Sequence, residues 1–208
     1  MWVENGFDIW ADEYDEEVSE SDRMDAYPFA GYFRILNDIF EMATEKKEPT
    51  VLDLGFGTGV LTSRLYDAGC RIYGQDFSSH MIEIASQKMP EAHLYKKDLL
   101  EGIAEPLKER RYDFIIATYS LHHLDDAQKI TLIEELKDLL EEDGTIIIGD
   151  VAFDNLDELE RCKEEAGEEW DDEEIYIVAD RMKEIYPDLV FRKISRCGGI
   201  VILKKPMI

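Results

Sequence analysis

Hydrophobic residues recur along this chain in two alternating rhythms. Compact, mostly apolar runs at 51–54, 70–76, 112–118 and 145–150 are separated by stretches in which apolar positions return every three or four residues. The runs predict buried parallel strands and the periodic stretches predict amphipathic helices. From Met24 to about Lys47, Phe29, Phe33, Leu36, Ile39, Phe40 and Ala43 mark one helical stripe, which ends before Pro49. Ser78 to Met89 forms a second, with Met81, Ile82 and Ala85 periodic. A third runs from Asp126 to Glu142, with Ile130, Ile133, Leu136, Leu139 and Leu140 inward and Gly144 just beyond it. Residues 92–99 add another strand, and 189–195 and 199–204 flank Arg196-Cys197-Gly198 as a hairpin. Residues 100–111 are polar around Pro106, and no element is predicted there. This alternation predicts an α/β fold: a doubly wound, mostly parallel, seven-stranded sheet with an antiparallel C-terminal hairpin and helices on both faces.

Two stretches keep their periodicity under a different composition. Phe7, Trp10, Ala11, Tyr14 and Val18 share one face of a predicted N-terminal helix, which reads as core packing or as a lid over a ligand. After Asp150 the chain turns strongly acidic, with Glu164-Glu165, Glu168-Glu169 and Asp171-Asp172-Glu173-Glu174, yet Phe153, Leu156, Leu159 and Ala166 keep roughly helical spacing. A solvated helical pair is expected there.

The chemistry concentrates where the first strand ends. Val51-Leu52-Asp53-Leu54-Gly55-Phe56-Gly57-Thr58-Gly59 is a strand carrying one acid and closing on three alternate glycines before a helix. Glycine suits a turn that needs positive φ and lets a ligand approach the backbone. The third glycine of a nicotinamide-type fingerprint would fall at Val60, and no Gly-Lys-Ser/Thr follows at P-loop spacing. Asp76 ends the second strand at the roughly 20-residue spacing that brings a carboxylate beside such a turn, where it accepts from both ribose hydroxyls of a nucleoside. No Arg or Lys lies near it in sequence to meet a 2′-phosphate. The fourth strand delivers Tyr119-Ser120-Leu121-His122-His123-Leu124 to the carboxyl edge, where open α/β sheets bind ligands. An imidazole there suits a general base near neutral pH, and packing or capping is the structural alternative for each histidine. Adjacent histidines are expected to diverge, so no metal site is expected.

Composition narrows the partners. The formal charge of −25, from 48 acids against 23 bases, disfavours nucleic acid and anionic membranes. The three cysteines, Cys70, Cys162 and Cys197, are widely spaced and make no C-x-x-C. No export signal or membrane-spanning run is expected, which points to the cytoplasm.

The acid-Gly-x-Gly-x-Gly turn, the acids at 76 and 98 and the segment 117–124 together resemble the class I methyltransferases that use S-adenosylmethionine (SAM). Within them, Trp10-Ala11-x-x-Tyr14-Asp15, the Tyr119–Leu124 segment and the acidic post-sheet helices look most like the small bacterial YrrT-type enzymes. The resemblance implies a transferase (EC 2.1.1) acting on a small-molecule acceptor, as a monomer or homodimer. It implies one domain over 1–208, with a helical lid and packing helix at 1–48, a SAM-binding core at 49–150, and acidic helices plus hairpin at 151–208. It further implies cofactor contacts at Tyr14, Asp53, Gly55, Gly57, Gly59, Asp76, Phe77, Asp98, Leu99 and Ala117. In that family the acid at Asp98 meets the adenine amino group, Leu99 packs by the ring, and a small strand-end residue, here Ala117, meets the methionine part. His122 and His123 are the catalytic candidates. The alternatives are a SAM- or SAH-binding regulatory protein without turnover and a nicotinamide oxidoreductase on a related sheet.

Overall fold

The computed structural model describes residues 26–205. Five strands run first: β1 (Thr50–Leu54), β2 (Arg71–Asp76), β3 (His93–Lys96), β4 (Tyr112–Thr118) and β5 (Leu140–Phe153). The short β6 (Ile177–Val178), then β7 (Val190–Lys193) and β8 (Gly198–Lys204), complete the sheet. Its order is β3-β2-β1-β4-β5-β8-β7, with β6 paired to β5 off that path. The pairs from β3 through to β5 are parallel, and β8 pairs antiparallel with both β5 and β7. The chain builds outward from β1 to β3 and then restarts on β1's other side with β4. That reversal leaves a crevice at the carboxyl ends of β1 and β4.

Alternate residues of each strand serve opposite faces. Val51, Ile72, Ile116 and Ile147 join one apolar cluster, packed under α1 (Tyr32–Thr44), α2 (Val60–Asp67) and α3 (Ser79–Lys88). Leu52, Leu54, Ile115 and Ile146 join the other, under α4 (Glu105–Lys108), α5 (Asp126–Asp138) and α7 (Ala179–Ile185). The α1 stripe Ile35, Leu36 and Ile39 is fully buried. Each such side chain contributes about 1.5–3 kcal/mol. It packs closely because β5 offers no side chain at Gly149, where a Cβ would lie 2.4 Å from Ile35 Cγ2.

The differences from the sequence reading have local causes. The first described helix begins at Tyr32 because Gly31 precedes it at φ 76°. The third stripe stops at Asp138, since Leu140 already pairs with Tyr112 and β5 runs on to Phe153. In the acidic block only α6 (Leu156–Ala166) is a full helix. Gly167 at φ 58° ends it, a single 3₁₀ turn follows, and α7 lies beyond the block. The two-residue β6 carries too little pattern to be legible. The predicted helix over residues 7–18 lies outside the described residues. No helix among the described residues is long and apolar enough to cross a membrane.

Candidate functional site

The glycine turn is built as a seat. Gly55 takes φ 72° and donates its N–H to Gln75 O at 2.8 Å. A Cβ on Gly55 would sit 2.5 Å from Ser120 Cβ, and Ser120 Oγ in turn donates to Leu54 O at 2.8 Å. The carboxyl ends of β1 and β4 are thereby tied together under the crevice. Asp76 is held by two backbone donors, Gly57 N–H to Oδ2 and Ser78 N–H to Oδ1, each at 2.9 Å. Ser78 caps α3, accepting from Met81 N–H at 3.2 Å. Asp98 caps the 3₁₀ turn Leu99–Glu101, with Oδ1 accepting from Leu100 N–H at 2.9 Å.

A cleft of about 450 Å³ opens over this turn. Of the residues singled out from sequence, Gly55, Gly57, Asp76, Phe77, Asp98, Leu99 and His123 line it, and so do Phe56 and Tyr119. Asp53, Gly59, Ala117 and His122 are not among its lining residues. Asp53 lies behind the turn, fully buried, accepting from Thr62 Oγ1 at 2.5 Å. Burial pushes its carboxyl up to about 7, with the Asp76 charge adding to the effect. Ala117 faces the opposite apolar cluster. Tyr14 and Trp10 lie outside the described residues. The carboxylate at Asp76, the side-chain-free Gly55 and the apolar Phe77 and Leu99 fit a nucleoside with free ribose hydroxyls.

The two histidines part company. His122 Nδ1 lies 2.7 Å from Asp150 Oδ1 and Nε2 lies 3.4 Å from Glu174 Oε1. Burial would lower this imidazole, but the Asp150 charge and hydrogen bond, with Glu174 behind them, outweigh it and hold it above its usual value. His123 faces the cleft, and burial followed by the neighbouring His122 charge pushes it down to about 4. Its ring is therefore neutral near pH 7. The expected divergence of the pair is corrected here: the rings meet edge to face, centroids 4.2 Å apart. Together with Glu174 they bring three donor atoms within 4.8 Å of one another, although the His122–Glu174 ion pair already engages two of them.

Residues given no site role in the sequence reading hold this turn. Asp150 Oδ2 accepts from Leu121 N–H at 3.2 Å and Oδ1 from Val151 N–H at 2.8 Å. The fully buried Lys129 donates to Leu124 O, and to Ile175 O at 2.7 Å, while Ile175 N–H donates to His122 O at 2.8 Å. A signal for Asp150 was present, since it ends its predicted strand as Asp76 and Asp98 end theirs. Glu174 was hidden in a run of acids, and Lys129 on a helix face where lysine ordinarily reaches solvent.

Comparison with known proteins adds independent findings. Residues 51–144 match the family described as "Methyltransferase domain". An uncharacterized methyltransferase of Anoxybacillus flavithermus is 36% identical over 160 residues, covering 77% of this chain and 72% of that protein. The fold is similar to that of DhpI in its SAH complex, at 16% identity and a TM-score of 0.71, over 98% of this chain and 95% of that one. It is also similar to magnesium protoporphyrin IX methyltransferase (ChlM) of Synechocystis PCC 6803 with SAH bound, at 19% identity and a TM-score of 0.67, over 86% and 85%.

Proposed function

Since the chain belongs to the class I SAM-dependent methyltransferases, we propose that its cleft serves methyl transfer to a small-molecule nucleophile, with His123 accepting the hydrogen bond that orients that nucleophile. The observation that carries this reading is the division of the cleft. Its β2–β3 side presents Asp76 and Asp98, and its β4 side presents Tyr119, His123 and Leu124. Bound SAM supplies an electrophilic methyl group on a positively charged sulfur. Asp76 receives the ribose hydroxyls on its carboxylate oxygens, beside the Gly57 and Ser78 N–H groups that hold them. Asp98 and Leu99 take the adenine, and Gly55 lets the chain pass close to the methionine portion.

The acceleration asked of the protein is mainly alignment, which can supply roughly 7–11 kcal/mol when two reactants are held in line. The binding of the Leu121–His123 turn to Asp150 supports that role, because a turn tied at both backbone and side chain loses little freedom when the acceptor arrives. His123, neutral in its cleft wall, offers a ring nitrogen to an O–H or N–H. His122, held between two carboxylates, is a positioning residue. The cleft's volume of about 450 Å³ and the charge of −25 support a small acceptor over a nucleic acid.

The test is turnover with a methyl acceptor found by screening, followed as SAH release. We expect His123→Ala to lower kcat about tenfold, the worth of one lost orienting hydrogen bond, with SAH affinity close to wild type. Wild-type kcat in His123→Ala would remove this histidine from the mechanism.

A further inference from the structure

The β4 side of the cleft has its own chemistry, distinct from that of the cofactor seat. Tyr119, the residue after β4, takes φ 50°, a left-handed conformation that costs a bulky side chain about 1–2 kcal/mol. Its N–H is held by Gly149 O at 2.9 Å, so the sheet imposes the conformation. The result is a ring turned into an aromatic group: Tyr119 lies 5.0 Å from Tyr32 and 5.4 Å from Phe29, centroid to centroid. Tyr32 and Tyr119 both line the cleft, each with 8% of its surface exposed.

The carboxylates behind this wall are paired with cations. The one basic side chain among the cleft's described lining residues, Lys97, follows β3 at the other end of the crevice and donates to Ile103 O at 3.2 Å. Behind His123 stand Asp150 and Glu174, sharing the His122 imidazole, with Lys129 as the nearby cation. The negative π faces are then the feature of this wall that selects by charge, and they attract a positive one.

We infer that the acceptor is an amine, and that Tyr119 and Tyr32 form the wall against which its nitrogen becomes cationic. This rests on the methyl-transfer reading above. The amine enters as the free base, its lone pair forming the N–C bond to the methyl carbon while the C–S bond breaks and its electron pair stays on sulfur. The positive charge passes from sulfur to nitrogen, so the wall acts on charge that develops at the acceptor as the bond forms. A primary or secondary amine then releases a proton to water; a tertiary amine leaves as a quaternary ammonium ion. His123 fits the same picture by accepting an N–H hydrogen bond that orients the nitrogen.

The test uses the full chain with SAH bound, titrated with choline and with its neutral isostere 3,3-dimethyl-1-butanol. Choline is expected to bind about fivefold tighter, within the usual range for one desolvated cation–π contact. Tyr119→Leu and Tyr32→Leu should each erode that preference while SAH affinity stays near wild type. Equal binding of the two probes, binding of neither, or a preference that survives both substitutions would overturn the inference. So would an acceptor screen in which thiols or phenols gain labelled methyl and amines do not. Failure of SAH itself to bind is a separate result, and it would overturn the methyl-transfer reading on which the inference rests.

Discussion

Replacing Asp76 with alanine tests the cofactor seat most directly. An ionised carboxylate offers about four acceptor sites. Gly57 N–H and Ser78 N–H hold one oxygen each. The ribose hydroxyls would be received on the same two oxygens, and at 5% exposure the side chain has little competing water. A hydrogen bond to a charged group is worth about 1.5–3 kcal/mol net. Two such bonds, partly replaced by water in the variant, predict a loss of about 3 kcal/mol, or roughly 100-fold in SAH affinity. Asp76→Asn keeps the shape and one acceptor oxygen, and should lose roughly tenfold. Isothermal titration of SAH against the three proteins measures both. A 2′,3′-dideoxy analogue of SAH supplies the second arm of the cycle: it should bind weakly to the wild type and lose little more to Asp76→Ala. Unchanged SAH affinity in Asp76→Ala, with unfolding showing an intact protein, would refute the ribose assignment. Equal losses for SAH and the dideoxy analogue would trace the effect to a collapsed turn instead.

Two further predictions concern the scaffold. Burial holds the folded Asp53 carboxyl near pH 7 against an ordinary 3.8, so the folded state keeps its proton after the unfolded chain has lost it, and stability falls as pH rises across that window. Asp53→Asn should therefore stabilise the ligand-free protein above pH 7 and lose that advantage below the ordinary carboxylate range, as read by urea unfolding at both extremes. Gly149→Ala should cost about 1–3 kcal/mol by overpacking, since its Cβ would meet Ile35 Cγ2 at 2.4 Å and Ile39 Cδ1 at 2.8 Å. A lower urea midpoint at unchanged slope is the expected signature.

The sheet was legible because its central strands are buried on both faces and therefore read as apolar runs, and because helical stripes separate them. The cofactor side of the cleft was legible for a related reason: Gly55, Asp76 and Asp98 each sit where a strand stops, and in a parallel sheet those stops share one edge. Asp53 carries the same kind of signal, but strand alternation turned it behind the turn, toward Thr62. The acceptor side was harder to read. His122 and His123 are indistinguishable as letters, and only the placement of Asp150 and Glu174 assigns one to a buried ion pair and leaves the other on the cleft wall. The pairing of Tyr119 with Tyr32 depends on one positive φ and on where α1 crosses the sheet, neither of which has a local sequence pattern.

The buried lysine has a consequence for how the molecule breathes. Lys129 reaches from α5 to the carbonyls of Leu124 and Ile175, and the Ile175 N–H closes onto His122 O. The segments that carry His123 and Glu174 are thus fastened to each other and to the same helix. Neither can swing out while the other stays, so their amides belong to one unit of hydrogen exchange, opening together at a single free energy. The flank that carries His123 is therefore a fixed wall, and an acceptor entering the cleft meets it already set.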